Sequence, residues 1–360
     1  MNDKVVEIEI AGGMIYPDAR NISDTTRVTF RSAAGQKLTI SDIHRAIICG
    51  GSLTRIPTWI GSLSNLEMID LASNEIERIS SEDVETLARM LQLRQLRICD
   101  NRIEELPLNF GDLYRLNELY LGDNELSSLP RSIVDLTNLR ILSIQPGQQS
   151  GVKKRCINIF ARFPEIVLHM ASLHELEIAR VNMESFQVGD NRARSELVAL
   201  ERLDISRNPI TEFPDWLLPG NTIQRLDLSH TKIRSLPDCI GRWKNLEVLD
   251  VSFSDLEELP ANIGRCKKLR ELRARYSKLN VVPDSIGGCE RLELLDLAGT
   301  EVKTLPVELS KCMMLKLVQH KHLRPSMVPS TVWKMKGVTF EQDDDRMAIP
   351  CPIRDKYDFC

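Results

Sequence analysis

Aromatic residues are scarce in this chain, at 5% of its 360 positions, although 42% of the residues are hydrophobic. A core built from such a sequence must be mainly aliphatic. Long apolar runs are also missing: none approaches the roughly 18 residues needed to suggest a membrane crossing, so no membrane span is expected. The opening residues, MNDKVVEIEI, contain no apolar stretch of signal-peptide length. Gly does not follow Met1, and Tyr357 stands where a prenylation box would need cysteine. The expectation is a soluble, intracellular, cytoplasmic protein. Nine cysteines, neither even in number nor clustered, fit a reducing compartment. A basic excess is lacking as well, since 47 Lys and Arg face 51 Asp and Glu, for a formal charge of -4. That balance argues against a general polyanion binder and predicts no nucleic-acid partner.

Signatures of chemistry are equally thin. No glycine-rich phosphate loop precedes a helix. The pairs Gly12-Gly13, Gly50-Gly51 and Gly287-Gly288 fall at turns, where backbone freedom explains them. His44, His169, His174 and His230 lie far apart without a carboxylate motif. His320 and His322 share one strand face and could join Cys351 or Cys360 around a metal, but the close paired spacing of structural zinc sites is missing. The expectation is no catalytic residue, no metal and no cofactor, and therefore no enzyme.

What the sequence has in abundance is repetition. Leu246, Leu249, Val251, Ser254 and Leu256 recur as Leu269, Leu272, Ala274, Ser277 and Leu279, and again as Leu292, Leu295, Leu297, Thr300 and Val302. On this template repeats begin at Ile43, Leu66, Leu93, Leu116, Leu139, Leu173, Leu200, Ile223, Leu246, Leu269, Leu292 and Leu315. Eight of the eleven intervals between these starts are 23 residues, and the rest are 27, 34 and 27. Such a period marks a solenoid whose units bury one another. Apolar residues two apart, as at Leu226 and Leu228, predict a short strand with one face in the core. An apolar residue followed by proline, as at Leu236-Pro237 and Leu259-Pro260, predicts the turn that carries the chain over that core. Asn74, Asn101, Asn124 and Asn208 are placed to hydrogen-bond the turning backbone, a role open to Thr231, Ser254, Ser277 and Thr300. Cys266, Cys289 and Cys312 recur at one apolar position and read as small buried hydrophobes.

With Leu129-Pro130-Arg-Ser-Ile133 as an example, these units resemble the leucine-rich-repeat family in its 23-residue intracellular LPxxI form. That form is similar to the plant intracellular Ras-group proteins and to Scribble- and Erbin-like scaffolds. The resemblance spans about residues 43–333. It implies an α/β leucine-rich-repeat solenoid, a curved horseshoe with a parallel concave sheet, about twelve repeats and a cap at each end. Residues 1–42 read as the N-terminal cap, with Val28–Phe30 and Lys37–Ile40 as a β-hairpin, and 334–360 as a C-terminal cap and tail. Proline stands fourteen residues after nine of the twelve starts, and is replaced by Ser80, Lys153 and Gln187. Those three positions fall in the long repeats 66–92, 139–172 and 173–199. The largest departure holds Lys153-Lys154-Arg155 and the apolar stretch Ile157–Met170. It reads as an irregular helix over a kink, or as a second contact site for a partner.

Partners of this family usually dock on the concave face. Counting from each start, the residues two, four, six and seven further on are expected to face outward from the strands. Four along, Asp204, Asp227, Asp250 and Arg273 form a ladder of like charges relieved by arginine, a solvated ion-pair lattice or part of a site. Seven along, His230, Phe253 and Tyr276 follow one another beside Arg273 and Arg275. Aromatic residues and arginine are the types enriched in interface hot spots. The partner-binding residues expected on the concave face are therefore Arg202, Arg225, His230, Phe253, Arg273, Arg275 and Tyr276. Tyr120, with Glu118 and Asp123, marks a secondary, more acidic area. The function implied is a non-catalytic scaffold or adaptor in intracellular signalling. Its partners would be proteins, such as a small GTPase, a phosphatase subunit or an assembly neighbour. A structural subunit of a large assembly, or the recognition module of an immune receptor or effector, is the alternative.

Overall fold

A computed structural model of the protein describes the backbone of Val5–Ala11, Met14–Ile15 and Arg27–Ser32. It describes in full residues 43–147, 157–186, 196–213, 217, 222–320 and 328–341. The chain falls into two compact units, one of Met1–Phe160 with Pro164–Leu173, the other of Ala161–Phe163 with His174–Asp358. The first unit contains strands β1 (Val5–Ala11), β2 (Met14–Ile15), β3 (Arg27–Ser32), β4 (Arg45–Ile47), β5 (Met68–Asp70), β6 (Gln95–Arg97), β7 (Glu118–Tyr120) and β8 (Ile141–Ser143), with helix α1 (Ser81–Ala88). The second contains β9 (Glu175–Glu177), β10 (Arg202–Asp204), β11 (Arg225–Asp227), β12 (Val248–Asp250), β13 (Glu271–Arg273), β14 (Leu294–Asp296), β15 (Leu317–Gln319) and β16 (Thr339–Glu341), with helix α2 (Ser330–Trp333).

From β4 to β15 every strand begins two residues after a repeat start and ends four after it. Within each unit successive strands of this series pair in parallel at corresponding repeat positions, as in Leu226↔Leu249 and Leu249↔Leu272. Those central leucines are fully buried. The fold class is thus a leucine-rich-repeat solenoid with a parallel sheet, as the period predicts. In the N-terminal segment β3 pairs in parallel with β1, Val5 opposite Arg27; residues 37–40, where the sequence places the other strand of a hairpin, lie outside the described residues. β1 also pairs antiparallel with β2, Ile10 opposite Ile15. At the other end β16 adds a strand beyond residue 333, pairing in parallel with β15. Trp333, which ends α2, stacks on Phe340 with ring centroids 4.9 Å apart.

On the return side, proline opens a short 3-10 turn in most repeats. Pro57, Pro130, Pro237, Pro283 and Pro306 hold φ between -66° and -72°, and the turns Thr58–Ser62, Arg131–Asp135, Asp238–Arg242, Asp284–Gly288 and Val307–Lys311 follow. Proline suits this place because its fixed φ matches the turn and no amide is needed there. Neighbouring turns approach closely. A Cβ on Gly264 would collide with the Ser285 carbonyl oxygen of the next repeat, and one on Gly287 with that of Glu308. Close approach, rather than the backbone freedom expected from sequence, explains Gly287.

The long repeats depart in different ways. In 66–92 the proline position is Ser80, which caps α1. The Ser80 hydroxyl accepts the Asp83 amide at 3.1 Å, and the Asp83 carboxylate accepts the Ser80 amide at 2.8 Å. This reciprocal box replaces the proline turn. In 139–172 the extra residues precede the turn. Asn158 accepts the Leu126 amide and donates to the Ile144 and Leu121 carbonyls, and Pro164 opens the 3-10 turn Glu165–His169. The stretch 157–170 is therefore the second half of an ordinary repeat, not an irregular helix. Lys153-Lys154-Arg155 lies outside the described residues, as does Gln187.

Polar ladders hold adjacent repeats together. Asn124 donates to the Ile98 carbonyl of the preceding repeat at 2.8 Å and accepts the Ile103 amide at 3.1 Å. Asn208 does the same with Ile178 and Val181. Thr231, Ser254, Ser277 and Thr300 share only the local half of this role, each donating to the carbonyl three residues back. A hydroxyl is too short to copy the amide's reach. Cys266, Cys289 and Cys312 are fully buried free thiols that donate to the carbonyls of Ile240, Ile263 and Ile286. Burial pushes the Cys266 and Cys312 thiols up to about 11, and Cys289 still further. Among the described residues no helix is long and apolar enough to cross a membrane.

Candidate interaction surface

Strand-face residues four along from each repeat start are not the exposed lattice that alternation predicts. Asp227, Asp250, Arg273 and Asp296 are all under a tenth exposed, as are Tyr120 and Glu177. The aspartates curl back onto their own chain. Asp204 accepts the Ser206 amide at 2.9 Å, Asp227 that of Ser229 at 2.8 Å and Asp250 that of Ser252 at 2.9 Å. Asp70 and Asp296 repeat the bond to Ala72 and Ala298. This is the turn that Asx side chains make with the amide two residues on, and it ends each strand. Asp250 carries the strain of the stack. Its carboxyl is raised to about 6, first by burial and then by Asp227 alongside, against lowering by Ser252 and Arg273.

Two expected contact residues are therefore withdrawn from the surface. Arg273 is buried, and its Nη2 donates to the Glu271 carboxylate at 2.8 Å. It answers the Asp250 charge inside the sheet face instead of meeting a partner. Tyr120 is 4% exposed, its hydroxyl donating to Glu118 at 2.9 Å beneath the Arg97 guanidinium, 4.7 Å from the ring centroid. Both stand at a position that is buried in most repeats, as at Ser143 and Gln319. Arg202 stays half-buried and pairs with Glu175 at 3.5 Å, and Arg225 is half-buried beside it in the adjoining strand. His320 points into the core, with its Nε2 2.9 Å from the Val302 carbonyl, so it is not on a metal-binding face. His322, Cys351 and Cys360 lie outside the described residues. Among the described residues no group of three His, Cys, Asp or Glu is placed to hold a metal ion.

Residues seven along behave differently. His230 and Phe253 stack with ring centroids 4.4 Å apart and planes 4° from parallel, and Phe253 stacks on Tyr276 at 5.1 Å and 28°. The Arg275 guanidinium lies 5.3 Å from the Tyr276 centroid. Phe253 is 44% exposed, and His230, Arg275 and Tyr276 are half-buried. The backbone at these positions is left-handed, with φ of 54° at His230, 55° at Phe253 and 50° at Tyr276. Arg180 (φ 53°) and Arg207 (φ 56°) occupy the same column. The count that reaches Phe253 also reaches these two arginines, which are absent from the contact residues expected on sequence grounds.

Glycine fits a left-handed backbone without penalty, and it stands at this position in Gly50 and Gly299. An L side chain there costs about 1–2 kcal/mol. Each aromatic pair returns about 0.5–1.5 kcal/mol. Three such residues cost about 3–6 kcal/mol and the two stacked pairs return only about 1–3 kcal/mol, so stacking falls short of the strain and does not explain bulky, exposed rings on grounds of stability. The same left-handed backbone recurs at Ser73 (φ 57°), Asp100 (φ 53°) and Asp123 (φ 51°) in the first unit, so the conformation belongs to the repeat and what distinguishes this stretch is its side chains. The stack ends at Gly299, where a Cβ would collide with Tyr276 Cδ1, so the tyrosine ring lies directly over the glycine.

Comparisons with known proteins agree with this architecture. A family model described as a leucine-rich repeat region matches residues 77–208, and a second, described as Leucine Rich Repeat, matches 199–219. A solved leucine-rich-repeat protein of Leptospira interrogans is similar with a TM-score of 0.63 and 22% identity, over 83% of this chain and 77% of its own. An internalin of Listeria monocytogenes gives 0.58 and 16%, over 84% of this chain and 87% of its own. The Toll–Spätzle complex of Drosophila gives 0.58 and 17%, over 85% of this chain and 48% of the matched one. At these identities the likeness is one of fold. A search of curated proteins finds no match.

Proposed function

We propose that this leucine-rich-repeat fold serves as a non-catalytic protein-interaction module whose partner docks on the strand face of the second unit. The observation that carries this reading is the His230–Phe253–Tyr276 stack, half exposed and held in left-handed backbone. Arg275 and, in the strands, Arg202 and Arg225 belong to the same surface. Arg273 supports it from beneath by balancing Asp250. Aromatic and arginine side chains supply most of the energy in protein interfaces. The solved Toll–Spätzle complex, on a similar fold, is an assembly of this general kind. The finer reading is an intracellular scaffold or adaptor for a signalling protein such as a small GTPase or a phosphatase subunit.

Affinity capture tests it, with the wild type compared against a Phe253→Ala/Arg275→Ala/Tyr276→Ala variant of unchanged far-UV spectrum. Loss of specific bound proteins from the variant is the expected result. Retention of the same proteins in the same amounts would remove the stack from the site.

A further inference from the structure

Resting on that reading, we infer that the left-handed column of the second unit recognises an extended acidic peptide segment. The segment would carry carboxylates at one end of the contact and an apolar or aromatic side chain at the other. The column runs Arg180, Arg207, His230, Phe253, Tyr276, Gly299, one residue from each successive repeat. Its two halves differ in chemistry. Arg180 is exposed and Arg207 half-buried, and together they present guanidinium charge. Phe253 and Tyr276 present aromatic surface, and the strand-face aspartates Asp227 and Asp250 are turned into their own backbone. Gly299 then leaves the row without a side chain beyond Tyr276, which fixes where the apolar half stops. His230 joins the halves, stacked flat against Phe253.

Charge complementarity selects carboxylates for the arginine half, and desolvation selects an apolar group for the ring half. The column also sets a spacing. Ring centroids 4.4 and 5.1 Å apart show that one repeat advances the row by about one strand separation. Arg207 therefore lies roughly 10 Å from Phe253 and roughly 14 Å from Tyr276 along the row. An extended chain rises about 3.3 Å per residue, so an acid and an apolar side chain about three or four residues apart reach both halves at once.

The test uses the full chain and fluorescein-labelled peptides with one acidic pair and one phenylalanine, at the matched spacing in either order. Controls have the same composition but the acid and phenylalanine adjacent. Arg207→Asn and Phe253→Asn are the variants, because asparagine tolerates left-handed backbone and keeps the fold; thermal unfolding confirms it. A matched peptide should bind the wild type at least about tenfold more tightly than its control, and each variant should lose that advantage. Binding that depends on Phe253 but ignores both spacing and Arg207→Asn overturns the acidic-segment inference and leaves the docking surface standing. Failure of every peptide to bind, while natural partners still depend on Phe253, likewise overturns the acidic segment alone. Natural partners indifferent to Phe253 would instead refute the docking surface.

Discussion

Replacing Asp250 by asparagine should make the protein more stable at neutral pH and remove one component of its pH dependence. The folded carboxyl is raised to about 6 by burial and by Asp227, whereas in the unfolded chain it titrates near 3.9. Between those values the folded form holds a proton that the unfolded form has lost, so stability falls as pH rises from about 4 to about 6 and is level above. At about 1.4 kcal/mol per pH unit the ceiling on this loss is about 3 kcal/mol. Asparagine keeps the oxygen that accepts the Ser252 amide at 2.9 Å, but the bond is no longer charge-assisted. The net gain expected at pH 7 is therefore about 1–2 kcal/mol. Urea unfolding of both proteins from pH 4 to pH 7.5 reads the difference directly. It should start near zero and climb to a plateau above pH 6. A difference that is flat with pH, or that favours the wild type as pH rises, would refute the reasoning from burial and like charge.

Three other outcomes follow from the packing. Gly264→Ala forces a Cβ against the Ser285 carbonyl of the next repeat and should cost at least about 2 kcal/mol in denaturant unfolding, where an ordinary surface substitution costs under about 0.5. Ser80→Ala removes the box that opens α1 and should cost about 1 kcal/mol, with amide exchange faster across Ser81–Ala88 than elsewhere. Native protein should protect Cys266, Cys289 and Cys312 from alkylation at pH 8 and release them in denaturant, because burial keeps the thiols protonated. Rapid labelling of all three in the native state would contradict their placement.

The strands are legible in sequence because their signal is redundant: leucines two apart, repeated at a fixed period, leave one register that buries them all. The column at Phe253 is legible for the same reason, since counting from the leucines places it. Side-chain direction is not. Alternation implies that Asp227 and Asp250 face water, but a short side chain at a strand end can satisfy a turning amide instead, and nothing in the period distinguishes the two. Tyr120 and Arg273 escape a reading by alternation because the position four along is buried in most repeats, whatever residue stands there, Ser143 and Gln319 included. The left-handed backbone of the column is hinted at by Gly50, Asp100, Asp123 and Gly299, residues that tolerate it, at the same repeat position. In the long repeat at 139–172 an insertion displaces the turn, so the proline missing at Lys153 is found at Pro164.

The most direct test of the interaction surface places a photo-crosslinking phenylalanine analogue at Phe253 and, separately, at Met313, which is 81% exposed. Irradiation in extract, followed by mass spectrometry, identifies what each position touches. Docking on the strand face predicts discrete protein adducts from position 253 that diminish when Arg275 and Tyr276 are also replaced by alanine, and none of those adducts from position 313. Adducts from 313 alone, or the same ones from both positions, would contradict it.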